Sequence, residues 1–154
     1  MESFRNINIP IVLDTSSNDL VEDFFKPTLT NCISYDRGVG YFTSGWLRDN
    51  SIGLEQFIIN GAHARWITSP ILSPDDWEAM ILGDKAKKDQ TLYKMILVSI
   101  NNLREELEKN VLSALAWMIA DNIIKFKLAV PRNDLCGEFH AKFGVFEDCD
   151  GNKI

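Results

Sequence analysis

The chain has 154 residues, of which 45% are hydrophobic and 25% are charged, so it has the length and composition of one soluble globular domain. Its net charge of −6 counts against an extended, non-specific nucleic-acid surface, because such surfaces are basic. The same charge leaves room for one local phosphate pocket.

Membrane insertion and secretion are not expected. No apolar run reaches the roughly 18 residues that a membrane span needs. The N-terminus, "MESFRNINIP", lacks the basic region and apolar core of a signal peptide. The cysteines, Cys32, Cys136 and Cys149, are few and odd in number, which favours a reducing compartment over a disulfide framework. We therefore expect a cytoplasmic protein.

The first predicted element is a strand over "IPIVLDT", residues 9–15. Ser16 and Asp19 then form a possible capping pair for a helix that runs to about Phe25.

A strand interrupted by glycines is predicted over "CISYDRGVGYF", residues 32–42. A helix follows it, with Thr43 or Ser44 as the N-cap. This helix is expected to stop near Asn60 and Gly61, because glycine is favoured just after a helix end.

The next strand is predicted over residues 64–70, and Ser73-Pro74-Asp75-Asp76 gives the clearest helix start in the chain. Apolar residues keep helical spacing over 91–109. The run 111–120 is apolar nearly all round and predicts a buried helix.

Two more strands are predicted, over residues 123–130 and 139–148. Strands that alternate with helices predict an α/β fold with a mixed, largely parallel sheet flanked by helices. We find no linker or internal repeat, and expect one domain over residues 1–154.

The last predicted strand, "FHAKFGVFED", contains the candidate catalytic residues. Side chains on a strand alternate between faces, so His140, Lys142 and Gly144 are expected to share one face. The other face should pack on the core through Phe139, Ala141, Phe143 and Val145. An imidazole, an ammonium group and the space left by a glycine are suited to a phosphoryl group. By spacing alone, a polar outer face on a half-exposed strand is the favoured interpretation, because a His-x-Lys triplet occurs often by chance.

The segment "HAKFGVFEDCDG" resembles the His-x-Lys-x4-Asp signature of the phospholipase D superfamily. With "YDRGVGYFTSGWL", "ITSPILSPDDWEA" and "LSALAWMIADNIIKFKLAVPRN", it is similar to the N-terminal phospholipase D-like domain of bacterial superfamily 2 helicases. The resemblance spans residues 33–154 and implies a phospholipase D/nuclease-like fold.

The resemblance also implies a mechanism. His140 would act as nucleophile and as general acid, and Lys142 would hold the phosphate oxygens. The signature acid is ambiguous: spacing favours Glu147, whereas strand parity and residue type favour Asp148. One motif makes half a site, so a homodimer that pairs two copies of His140 is implied.

The family continues with a strand and a Gly-Ser-x-Asn segment, which this sequence does not include. We therefore expect the chain to be the N-terminal part of a longer helicase, and to be inactive or nearly so alone. The implied activity is a metal-independent DNA phosphodiesterase in repair or restriction. No cofactor is expected for this domain, and ATP and magnesium are expected for the motor. The alternatives are an idle DNA-binding or dimerisation module and a phospholipid phosphodiesterase.

Four further residues are candidates for contacting substrate. Ser69, Thr43 and Ser44 could line the phosphate pocket, or simply cap turns and helices. Arg132 could meet a DNA phosphate or be a solvated surface residue. No metal site is expected, because Cys136, His140 and Cys149 match no zinc spacing.

Overall fold

The computed structural model describes residues 1–100, 102–130, 132 and 139–154. Four strands form one sheet: β1 (Cys32–Val39), β2 (His63–Thr68), β3 (Ile124–Leu128) and β4 (Lys142–Asp148). The helices are α1 (Lys26–Asn31), α2 (Gly45–Asp49), α3 (Ser51–Ile59), α4 (Pro74–Ala86), α5 (Gln90–Ser99), α6 (Leu103–Lys109) and α7 (Val111–Ala120). A π-helical turn, Val21–Phe25, leads into α1.

The sheet has the order β3-β2-β1-β4. β1 pairs in parallel with β2, and β2 in parallel with β3, whereas β4 runs antiparallel to β1. The prediction of an α/β fold with a mixed sheet flanked by helices is therefore confirmed.

One face of the sheet holds the core. Tyr35, Trp66 and Phe146 are almost completely buried there. Phe24 of the π-helical turn packs on Phe146, and Trp46 of α2 packs on Tyr35 and Trp66. On the opposite face Asp36 and Arg65 form an ion pair. That face also exposes four side chains: Lys125, Lys127, Phe143 and Val145.

Several helix signals in the sequence are confirmed. Ser73 is the N-cap of α4, and its hydroxyl oxygen accepts a hydrogen bond of 3.1 Å from the backbone N–H of Asp76. Helix α7 is buried along nearly its whole length, and α3 ends before Gly61, which has a φ of +70°. The helical run predicted over 91–109 is instead two helices, because Asn102 accepts a hydrogen bond from Glu105 and starts α6.

The strand predicted over residues 9–15 is wrong. Ile11 and Val12 are exposed, and the segment pairs with no strand of the described chain. The carboxylate of Asp14 accepts a hydrogen bond of 2.9 Å from the N–H of Ser16, which favours a turn over an extended strand. Of the predicted capping pair, Asp19 caps the helical turn that follows, whereas Ser16 bonds to Asp14.

The face of β4 predicted to pack on the core is also wrong. Phe143 and Val145 are 53% and 39% exposed, whereas Phe146 and Asp148 are buried. The ring of Phe146 stacks on Tyr35 with a centroid separation of 3.9 Å, and this aromatic contact fixes which face of β4 turns inward.

Candidate functional site

The carboxyl ends of the parallel strands β1 and β2 lie beside the start of β4 at one end of the strands, which we call the carboxyl edge. Val39, the last residue of β1, pairs with Lys142 on one side and with Thr68 on the other. His140 lies two residues before Lys142, just outside the strand. The edge therefore gathers the predicted histidine and lysine beside the loop that follows β1. Edges of this kind are where α/β proteins place their ligand sites.

His140 is exposed and packs against the loop after β1. Its ring meets Tyr41 edge to face, with centroids 5.6 Å apart and an interplanar angle of 78°. A methyl group at Gly40 would lie 2.8 Å from the carbonyl oxygen of Phe139 and 3.0 Å from Cα of His140. Gly40 thus permits the close approach that holds the imidazole at this edge.

Lys142 is exposed and opens β4 directly opposite Val39. Its ammonium group forms no ion pair with any carboxylate in the described ranges. Lys142 shares its face with Gly144 and Phe146, as strand alternation predicts. Because His140 precedes the strand, alternation does not fix the direction of its side chain. That the two side chains point the same way stays a prediction.

Asp148, the favoured motif acid, does not lie at this edge. It is six residues from Lys142 at the other end of β4, which is a separation of about 20 Å. Its buried carboxylate accepts hydrogen bonds from the N–H of Phe4 (2.7 Å) and the N–H and side-chain amide of Asn152 (both 2.8 Å). Asp148 therefore closes the turn after β4 and anchors the N-terminal segment. It is not positioned to orient His140 within one chain.

The ionisation of Asp148 follows from these contacts. Burial alone would raise the pKa of this carboxyl group, but the hydrogen bonds from Asn152, Phe4 and Ser3 outweigh burial. They hold the pKa of Asp148 well below its usual value, so the group is a carboxylate at neutral pH.

Glu147, the acid favoured by spacing, is also remote from the edge. It lies opposite Ser34, on the face of the sheet away from the core, and forms an ion pair of 3.3 Å with Lys153. Neither candidate acid therefore meets His140 and Lys142 in the single chain.

Thr43 and Ser44 lie in the loop between β1 and α2. Thr43 is exposed, and its carbonyl oxygen accepts a hydrogen bond of 3.2 Å from the N–H of Trp46. The backbone N–H of Ser44 faces the buried carboxylate of Asp76 at 3.3 Å. That carboxylate already occupies the position where an anionic ligand would bind at the start of this short helix. A turn-forming role explains both residues.

Thr68 is the last residue of β2 and Ser69 follows it, and both are buried. The hydroxyl oxygen of Ser69 accepts a hydrogen bond of 3.3 Å from the N–H of Ile71, which is the turn-capping role. The hydroxyl of Thr68 has no hydrogen-bond partner within the described chain, although the residue is completely buried.

We expect Thr68→Val to leave the free energy of unfolding unchanged or to raise it, because valine has the same shape and removes an unpartnered hydroxyl. Thr28→Val is the matched control. Thr28 is equally buried, but it donates a hydrogen bond of 2.6 Å to the carbonyl of Phe24, so its loss should cost about 1 kcal/mol. Urea unfolding measures both, and a destabilised Thr68→Val variant would show that this hydroxyl has a partner after all.

Arg132 is exposed, as a solvated surface residue would be. Cys136 lies outside the described residues. Within the described ranges, no three His, Cys, Asp or Glu residues are grouped as a metal site requires. No helix in this part of the chain is long and apolar enough to cross a membrane.

Sequence reasoning missed Arg37, in the middle of β1. Its guanidinium carbon lies 4.4 Å from the centroid of the Trp46 ring and 5.2 Å from that of Trp66, on the core face of the sheet. The signal was present in the strand alternation, since Arg37 falls between Tyr35 and Val39 on an otherwise apolar face.

Comparison of the chain with protein-family models, with curated proteins and with solved structures finds no match.

Proposed function

We propose that this chain is a phospholipase D-like domain that hydrolyses phosphodiester bonds in DNA without a metal ion. The observation that supports the proposal is the position of His140 and Lys142, two residues apart at the carboxyl edge of a mixed α/β sheet. A histidine nucleophile with a lysine close by suits phosphoryl transfer through a phosphohistidine, because the lysine can stabilise the charge on the phosphate oxygens.

The proposed reaction has two steps. A nitrogen of one His140 attacks phosphorus and forms a phosphohistidine, while the leaving oxygen takes a proton from the second His140. The second histidine then removes a proton from water, which attacks the phosphohistidine and frees the first. Lys142 stabilises the negative charge on the non-bridging oxygens. The two histidines come from two copies of the chain, so a monomer that retains full activity would contradict the shared site.

We further propose, as the resemblance implies, that this domain is the N-terminal part of an ATP-dependent superfamily 2 helicase that acts in DNA repair or restriction. In this proposal the motor uses ATP and magnesium, whereas the hydrolytic site needs neither. Asp148 and Glu147 have no role in it, because both are held elsewhere by their own partners.

A second candidate is an idle DNA-binding or dimerisation module of the same helicase. The observation that favours it is that neither motif acid, Asp148 or Glu147, lies at the carboxyl edge where it could orient His140. An unoriented imidazole is a weaker nucleophile and general acid than an oriented one.

The deciding experiment incubates the full-length protein with end-labelled single- and double-stranded DNA in excess EDTA, without ATP. We expect cleavage of DNA under these conditions. DNA binding without cleavage would support the idle module. Release of headgroups from phospholipid vesicles, with DNA left intact, would instead identify a phospholipid phosphodiesterase.

A further inference from the structure

The face of the sheet opposite the core holds a groove with a volume of about 440 Å³. Residues of all four strands line this groove, so it crosses the sheet from β3 to β4. Its lining combines positive with apolar side chains, chiefly Arg65, Lys125, Lys127, Ile67 and Phe143. Four of these five residues are exposed, and Ile67 is half-buried. The groove is therefore a surface on which an extended ligand can lie.

Three positive side chains lie next to one another in the groove. Lys125 of β3 pairs directly with Arg65 of β2, and Lys127 lies two residues further along β3 on the same face. Like charges directly opposite each other on paired strands destabilise a sheet. On its other side Arg65 pairs with Asp36, whose carboxylate offsets one of the three charges. The groove thus has an excess of positive charge, although the chain as a whole has a net charge of −6.

Phe143 supplies an aromatic surface beside these charges. It pairs with Gly38 of β1, and a methyl group at Gly38 would lie 2.6 Å from Cζ and 2.8 Å from Cδ1 of the Phe143 ring. The ring therefore lies over the glycine, in the space that any other residue would fill. Phe143 is nevertheless 53% exposed, so the ring rests on the sheet and presents apolar surface to solvent. A planar group can stack on a ring held in this way.

We infer that this groove binds a single strand of nucleic acid, whose phosphate groups contact the three cations while a base stacks on Phe143. Sites for single strands combine positive charge for the backbone with aromatic rings for the bases. A duplex suits the groove less well, because its bases stack on one another. An acidic peptide would match the charge but not the ring. The inference goes beyond the proposed function, since this binding needs neither His140 nor Lys142.

The first test titrates a fluorescent oligothymidylate with the 154-residue chain at several salt concentrations and reads the anisotropy. Lys125→Gln combined with Lys127→Gln should weaken binding about tenfold or more at low salt. The double variant should also reduce the slope of log affinity against log salt by roughly 1.4, since each single-strand phosphate contact contributes about 0.7. The control is Lys88→Gln combined with Lys94→Gln, exposed lysines before and within α5, and it should bind like the wild type. No binding by the wild type, or equal losses in both double variants, would overturn the inference.

The second test removes the aromatic ring and keeps the charges. Phe143→Leu should weaken oligothymidylate binding about tenfold and leave the salt slope unchanged, because stacking is lost while the phosphate contacts remain. Trp77→Leu is the matched control, since Trp77 is a 45% exposed aromatic residue on α4, and it should bind like the wild type. Circular dichroism confirms that each variant is folded. Unchanged affinity in folded Phe143→Leu would contradict the inference.

The third test compares the single strand with other occupants of the groove. Unlabelled duplex DNA and polyglutamate compete against the labelled oligothymidylate at equal concentrations of charge, and weak competition by both supports the inference. Competition by either that equals that of unlabelled oligothymidylate would overturn it. Sedimentation of the chain without nucleic acid tests a second copy as the occupant. An oligomeric state that Phe143→Leu leaves unchanged supports the inference, whereas a dimer that this substitution dissociates would assign the groove to self-association.

Discussion

Replacing His140 with alanine should abolish the proposed metal-independent DNA cleavage by the full-length protein, because no other histidine of this chain lies at the carboxyl edge. Lys142→Ala should retain the nucleophile but slow cleavage by about 10²–10³, the usual effect of losing one charge-stabilising donor. Initial rates on labelled DNA in EDTA measure both variants, with circular dichroism to confirm that each is folded.

His63→Ala is the matched control for this experiment. His63 is also exposed, but it begins β2 and pairs with Ser34, so it lies at the opposite end of the strands from the carboxyl edge. Its loss should leave the rate unchanged. Equal rates for wild type and His140→Ala would remove the proposed mechanism.

Replacing Asp148 with asparagine should cause a large loss of stability, several degrees or more in melting temperature. An amide has one oxygen, whereas the carboxylate accepts hydrogen bonds from Phe4, Asn152, Ser3 and Asp150. The amide would also turn N–H donors toward these donors. Asp150→Asn is the control, because the Asp150 side chain is exposed in the same turn. Thermal unfolding at pH 7 measures both variants.

The carboxylate of Asp148 also makes the stability of the wild type depend on pH. Its pKa is lower in the folded chain than in the unfolded chain. The charge therefore stabilises the fold at pH values above about 4, and that contribution is lost as the pH falls further. In Asp148→Asn this part of the acid dependence should be absent. If both proteins lose stability equally below pH 4, the hydrogen bonds to Asp148 contribute little.

Local signals in the sequence predicted those elements whose causes are local. Ser73 and Pro74 mark the start of α4, and Gly61 marks the end of α3, because capping and left-handed backbone depend on a few adjacent residues. The strand predicted over residues 9–15 failed because a strand needs a partner. Its apolar residues Ile11 and Val12 are exposed, and the segment has no partner strand among the residues that the structure describes.

The sequence predicted the candidate site only in part, because some of its features depend on contacts between distant residues. Alternation along β4 correctly grouped Lys142 with Gly144, but alternation defines two faces without saying which one is buried. That choice came from the stacking of Phe146 on Tyr35, a contact between distant parts of the sequence. The structural role of Asp148 could not be predicted from local sequence either, because its partners Ser3 and Phe4 lie more than 140 residues away.

The hydrogen bonds between Asp148 and the N-terminal segment also constrain the order of folding. The contact from Phe4 to Asp148 spans 144 residues and so closes a loop of nearly the whole chain. Closing so long a loop before anything else has formed gives up chain entropy for little gain, whereas after β4 has paired with β1 most of that entropy is already lost. We therefore expect the N-terminal residues to attach late in folding and to be released early in unfolding.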